Sequence, residues 1–332
     1  MPLFGNPTKH TNKDIKHRLI DIIEYKIMKL TKFTNQEEPR NFLRGALMWQ
    51  GSVTPRILLS VFMMGLYTLV LSMIDINYYK LPRFEITPFE YTGAVLGLVL
   101  VFRTNAGHER WWEARKLWGA IVNQSRNLLI MTWNYGSDDK HWREEMTKWV
   151  VVFSFATKES LRLKKDFNNL QDTLNQSEIE ELKNAQHMPI FVAGKIAGLL
   201  QQARSEYNLD MLLFTQFEKQ RILLIDHIGA CERILKTPMP LVYAIKTRRF
   251  ILLYLLLLPF SLIDLSSSMS ALIAMLVAYP LLSIDKIGLE LQNPFAQKNL
   301  SHLPLETICQ GIKNTGMDIL ATAQSASTSK LN

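Results

Sequence analysis

Residues 103–119 read RTNAGHERWWEARKLWG, Arg103 to Gly119. This stretch joins an uncharged run to a long charged region of helical periodicity, so its reading decides how the chain is divided. Glu109, Arg110, Trp111, Trp112, Glu113, Arg115, Lys116 and Trp118 fall within ten residues. On a helix Trp111 and Arg115 are one turn apart and Trp111 and Trp118 two turns apart, giving a face that is aromatic and charged together. The pattern predicts an amphipathic helix at a membrane boundary, its indoles at headgroup level and its cations near phosphates.

Upstream of it, Ile57 to Ile74 (ILLSVFMMGLYTLVLSMI) is uncharged and long enough to cross a hydrocarbon layer of about 30 Å. Pro82 and Pro88 bracket a restart, and the chain is apolar again from Thr87 to Phe102, with Gly93 and Gly97 placed for close helix approach. That run includes Glu90, a carboxylate too costly to leave against lipid and therefore expected to face water, a partner or an aqueous path. Downstream of Gly119, helical periodicity continues to about residue 235, for example at Trp149, Val152, Phe153, Ala156 and Leu161. A linker is expected over Leu163 to Ser177, and helices over about Pro189–Glu206 and Met211–Leu235. Phe250–Ile263 and Leu265–Ile284, broken by Asp264 and Ser266–Ser268, read as a transmembrane hairpin. The remaining polar tail is expected to be ordered to about Ile312 and loose beyond it.

The first 56 residues carry ten Lys or Arg against five Asp or Glu and no secretory signal, with an amphipathic surface helix over Ile15 to Leu30. Mean hydropathy over all 332 residues is +0.01, an average of strongly apolar runs and a polar remainder. The net charge of +8 follows the positive-inside bias of short flanking segments, which places both termini and the charged middle region in the cytoplasm of a multi-pass cell-membrane protein. No zinc-finger spacing or aromatic RNA-binding strand accompanies that charge, so nucleic acid is not an expected partner. Cys231 and Cys309 stand far apart, without the spacing of a disulfide framework or a metal site. Phosphate-binding loops, nucleophile elbows and zinc-protease motifs are missing, so no catalytic residue, metal or cofactor is expected and the chain reads as a non-enzyme. His108, His187 and His227 read as packed or solvated side chains.

Three blocks carry a resemblance to the bestrophin family of prokaryotic type. These are Trp49-Gln50-Gly51-Ser52-Val53 before the first span, the Pro88 helix running into Arg103-Thr104-Asn105 and Glu109 to Gly119, and Asn293-Pro294-Phe295 after the last span, with Pro240-Leu241-Val242-Tyr243 before the third. The resemblance implies an all-α membrane protein: four transmembrane helices per subunit, a helical cytosolic region, and a homopentamer around one axial pore. It divides the chain into an N-terminal cytosolic segment (1–56), membrane helices one and two with the pore neck (57–103), a cytosolic vestibule (104–238), membrane helices three and four (239–288) and a cytosolic tail (289–332).

The implied function is passive conduction of small inorganic ions, chloride foremost, with the lipid bilayer, the permeating ions and further copies of the chain as partners. The alternatives are a monovalent-cation channel of the same fold and a membrane-anchored scaffold. By resemblance the pore neck falls on Thr87, Tyr91 and Val95, where relatives carry Ile or Phe. The register one residue earlier uses Ile86, Glu90 and Ala94, and its ring of carboxylates would favour cations. A second, cytosolic aperture falls on Leu212, with Met211 and Leu213 as neighbouring registers. Calcium-activated relatives use side chains around Asn-Pro-Phe and an acidic run after it. Here Glu290 and Asn293 remain, but no carboxylate follows until Glu306, and Ca²⁺ needs six to eight oxygen ligands. Calcium-independent activity is therefore expected.

Overall fold

The computed structural model describes residues 41–329, so the expected helix over Ile15 to Leu30 lies outside the described residues. The described residues fall into two units. The first, ending at Ser52, contains a short exposed helix, α1 (Phe42–Ala46), followed by Gly51, whose φ of 79° suits glycine alone. The second begins at Val53 and holds α2 (Thr54–Asn77), α3 (Thr87–Tyr135), α4 (Lys140–Leu161), α5 (Gln176–Asn184), α6 (Met188–Glu206), α7 (Met211–Lys236), α8 (Leu241–Ser261), α9 (Ser267–Glu290) and α10 (Leu305–Ser329). No strand occurs among the described residues.

Helix starts follow local chemistry. Proline sits in the first turn of α2, α3 and α6, where its missing N–H costs nothing. Asp139 caps α4 by accepting from Trp142 N, Asn175 and Glu178 form a reciprocal capping box on α5, and Asp210 accepts from Leu212 N and Leu213 N to open α7. α3 stops at Gly136, where a Cβ would lie 2.5 Å from both Thr132 O and the Trp142 ring.

Two apolar cores result. One joins Met64 of α2, Leu96 and Leu100 of α3, Ile251, Leu255 and Leu258 of α8, and Ala274, Ala278 and Leu281 of α9. In it α2 and α9 run antiparallel: Thr54 bonds Tyr279 at 3.0 Å and Gly65 rests on Met275. Both of these helices are long and apolar enough to cross a membrane. The other core gathers the second half of α3 with α4, α6, α7 and the start of α10.

α3 belongs to both cores. It is one unbroken helix through the expected boundary at residue 103. That continuity corrects the headgroup reading of the quoted stretch: Trp118 is fully buried, and half-buried Trp111 donates from Nε1 to Ser301 O at 2.6 Å. An indole is drawn into a core when the helix that carries it enters one. The glycine pair also divides. A Cβ at Gly93 would meet Tyr254 Oη at 2.9 Å, a true close approach, whereas one at Gly97 would meet nothing within 4 Å.

The tail differs from expectation too. α10 continues past Ile312 to Ser329, and Leu305, Cys309, Ile312 and Gly316 form a buried stripe. A Cβ at Gly316 would come 3.1 Å from Val151, so α4 and α10 pack closely there. Cys309 and Cys231 are packing residues, their thiols pushed up to about 12 mainly by burial. α10 is fastened by Glu306, which forms a bidentate pair with buried Arg162 at the end of α4. Burial alone would raise the Glu306 carboxyl, but the hydrogen bond and charge of Arg162, with Lys158 nearby, hold it at about 2.

A carboxyl depressed in the folded state contributes stability that is present above its ordinary value of 4.5 and lost as pH falls toward 2. Acid unfolding monitored by far-ultraviolet circular dichroism is expected to show this loss in the wild type and a flatter profile in Glu306→Gln. The magnitude is on the order of 1 kcal/mol, well below the full shift, because the carboxylate is 42% exposed and screened.

Candidate functional site

The functional candidates lie along α3 and at the two ends of the α2–α9 pair. Among the expected neck positions, Thr87, Tyr91 and Val95 are all exposed in the chain, Tyr91 to 72%. They lie on one helical stripe. Val95 also lines a groove of about 470 Å³ with Leu253, Tyr254 and Leu257 of α8, so it faces sideways as well as outward. One and two turns further, Leu98 and Phe102 are each more than half exposed. Sequence reasoning passed over both, because within an apolar run only the finished packing reveals which side chains the chain leaves uncovered. Glu90 is exposed in the first turn of α3, where a carboxylate complements the helix dipole, and it has no ion pair among the described residues.

The exposed stripe continues past Arg103 with Asn105, Glu109, Trp112 and Lys116, and Arg115 and Arg126 are exposed beside it. The opposite face of α3 is fixed by its partners. Arg110 donates to the carbonyls of Ile234, Thr237 and Gln292, satisfying the C-terminal end of α7. Glu113 reaches Arg233 at 3.3 Å, and His108 stacks on Trp111. Leu212, the expected aperture residue, is 70% exposed at the start of α7, with Met211 beside it also exposed and Leu213 partly covered. His187 caps α6 by accepting from Ile190 N at 3.3 Å and contacts Glu232 at 2.6 Å.

At the C-terminal end of α9 the structure brings together residues that sequence spacing could not connect. Glu290 is 3% exposed. One carboxylate oxygen pairs with Arg56 in the first turn of α2, and the other accepts from Leu300 N at 2.7 Å. Arg56 also donates to Lys298 O at 3.1 Å, and Lys286 stands 3.9 Å from Glu290. Asn293 Oδ1 accepts from Phe295 N and Ala296 N, closing the turn of the Asn-Pro-Phe motif. Asn299 donates to the carbonyls of Glu290 and Asn293. Both expected calcium-clasp remnants therefore have their oxygens engaged by protein donors, and an arginine supplies the positive charge beside Glu290.

Removing one partner of a buried ion pair leaves an uncompensated charge, whereas removing both does not. Arg56→Ala is expected to lower stability by about 3 kcal/mol, and the Arg56→Ala, Glu290→Gln double variant to recover most of it. Thermal unfolding of the four proteins in detergent checks this, and additive losses would mean the two residues act separately.

Comparison with known proteins places this arrangement in a family. Residues 33–318 match the bacterial/fungal bestrophin protein family. A voltage-dependent anion channel-forming protein of Nostoc sp. is 38% identical over 229 residues, covering 68% of this chain and 74% of that protein. A protein of the same description from Synechocystis sp. is 33% identical over 286 residues, covering 85% and 92%. A crystal structure of a bacterial bestrophin homologue from Klebsiella pneumoniae superposes with a TM-score of 0.73 at 24% identity, covering 80% of this chain and 99% of the other. With that match over most of its length and a helical membrane-protein fold in common, the chain belongs to the bestrophin family of bacteria and fungi.

Proposed function

We propose that the chain is a subunit of a passive channel for small inorganic anions, chloride foremost, in the cell membrane. The observation that carries this reading is the exposed stripe of α3, which is apolar through Tyr91, Val95, Leu98 and Phe102 and then polar and charged through Asn105, Glu109, Trp112 and Lys116, with the basic Arg115 and Arg126 beside it. A stripe left uncovered on a helix whose other face is fully packed suits the lining of a shared axis. Five copies around that axis, each with four passes formed by α2, the first half of α3, α8 and α9 and with both termini cytoplasmic, accommodate it. The anion-channel descriptions of the Nostoc and Synechocystis relatives favour the same cargo.

In this arrangement Thr87, Tyr91 and Val95 form the outer part of the neck, and Leu98 and Phe102 the inner part. An ion entering an apolar ring loses hydration without compensation, so Leu98 and Phe102 set the barrier while the hydroxyls of Thr87 and Tyr91 soften it. Beyond the ring, Arg115, Lys116 and Arg126 raise the local anion concentration. Leu212 forms the cytosolic aperture. A cation channel is the second reading, favoured by one observation: Glu90 is exposed, with no ion pair among the described residues, at the start of α3. The engagement of Glu290 by Arg56 and Leu300 N supports conduction that does not depend on calcium.

In planar bilayers under a KCl gradient, the reversal potential is expected to follow the chloride equilibrium potential, and the Leu98→Ala, Phe102→Ala double variant to conduct more than the wild type. A reversal potential following potassium, and moving toward chloride in Glu90→Gln, would transfer the assignment to cations; absence of current would leave a membrane-anchored scaffold. Currents in chelator and in millimolar Ca²⁺ are expected to be equal, and a steep calcium response would refute the account of Glu290.

A further inference from the structure

Between α3 and α8 the structure leaves an open groove of about 470 Å³, and none of the residues lining it is charged. Buried Leu96 lies at its floor, and Val95, Phe250 and Leu253 on its walls are each more than half exposed. Phe89 and Tyr254, their ring centroids 5.9 Å apart, meet across the end toward Pro88. Along α3 the groove runs from Pro88 to Val99, about 16 Å at the usual rise. That is close to half of a hydrocarbon core of about 30 Å, the depth of one leaflet. A helix about 10 Å across and equally long occupies about 1,250 Å³, so a helix of a neighbouring copy lies over this groove rather than in it. An extended hydrocarbon chain is thin enough to enter.

Cations stand at the other end. Tyr243 Oη donates to Val99 O at 3.4 Å, which sets the start of α8 beside the Val99 end of the groove. Lys246 is one turn before Phe250 and Arg249 one turn before Leu253, so both belong to the groove side of α8. Side chains of a helix lean toward its N-terminus, which carries both cations toward the Val99 end, near where the apolar run of α3 stops at Arg103. Both are exposed, and neither has an ion pair among the described residues, whereas Arg248 is taken up by Asp285.

We propose that this groove takes one acyl chain of an anionic phospholipid from the adjoining leaflet, with the lipid phosphate held by Lys246 and Arg249. A zwitterionic headgroup offers the same chain but brings its own ammonium, so the two cations select lipids of net negative charge. The inference rests on reading the first half of α3 and α8 as membrane helices, and not on what the protein conducts.

The test mixes the full-length protein in detergent with phosphatidylglycerol and phosphatidylcholine of the same chains, and weighs the complexes by native mass spectrometry. Retention of phosphatidylglycerol is expected to exceed that of phosphatidylcholine by roughly tenfold. Lys246→Gln with Arg249→Gln is expected to abolish the preference. Leu253→Trp, which fills the groove from an exposed position, is expected to lower retention of both lipids at an unchanged melting temperature. In vesicles, phosphatidylglycerol carrying a diazirine in its acyl chain is expected to label segments 88–99 and 250–257. Labelling of α2 and α9 that spares both segments, the result if a neighbouring copy fills the groove, would overturn the proposal and leave the membrane reading intact. No labelling of any helix would refute that reading and the proposal with it. Equal retention of the two lipids, or a preference that survives in the double variant, would also overturn the proposal.

Discussion

A single helix of 49 residues, about 74 Å long at the usual rise, has to be stable in two different surroundings. The first sixteen residues of α3 pack in the core shared with α2, α8 and α9; the last thirty pack in the core built from α4, α6, α7 and α10. No break or kink-forming proline relieves the change, so it must be managed by side chains at the crossing. Arg103, Arg110, Trp111 and Glu113 do this within three turns. Arg103 meets Asp285, Arg110 closes the carbonyl end of α7, Trp111 holds the loop after α9 at Ser301, and Glu113 reaches Arg233. Each of these ties α3 to an element distant in sequence. The position of α7, of the end of α9 and of the 291–304 loop all follow from the course of this helix.

The same economy appears in the buried ion pairs. Arg56–Glu290, Arg103–Asp285 and Arg162–Glu306 each join one helix to another across more than a hundred residues of sequence. Replacing such a pair with apolar side chains is often neutral for stability, so pairs of this kind act through geometry, fixing how two helices meet. Two of the three flank the loop after α9, with Glu290 at its start and Glu306 at its end. That loop is the physical link between the apolar core around α9 and the second core through α10, and it is held at both ends by arginines from elsewhere.

What the sequence made legible was local. α6 and α7 were placed within a residue of their limits because Pro189 and Asp210 announce helix starts, and the apolar runs identified α2 and α9 because length and composition are properties of single segments. The motif blocks around Trp111 and Asn293 pointed to the family. The rest depended on tertiary contact. Trp111 and Trp118 have the composition of an interfacial belt, and only the uninterrupted course of α3 into a second core decides that Trp118 is buried and Trp111 packed against its edge. The tail beyond Ile312 is rich in Ala, Ser and Thr, yet Gly316 against Val151 gives it a docking face that no periodicity of large residues advertises. Arg56 and Glu290 are 234 residues apart, and neither stands in a pattern that names the other.

The exposed stripe of α3 is where these strands of argument meet. Its packed face is rigidly determined, by Leu96 and Leu100 in one core and Ala114, Trp118 and Ile121 in the other, so the rotation of the helix about its own axis is fixed along its whole length. The orientation of Tyr91, Leu98 and Phe102 is therefore set by contacts made on the far side and continued up to about 45 Å away in the second core. An apolar constriction placed on such a helix has little freedom to open by local rotamer changes, since the backbone behind it cannot turn. In the proposed channel, opening it takes either a rotation of α3 that loosens both cores together or a change in how neighbouring copies approach. The anchoring of Arg110 to the end of α7 makes the second route less costly than the first, because it leaves every contact within the subunit in place.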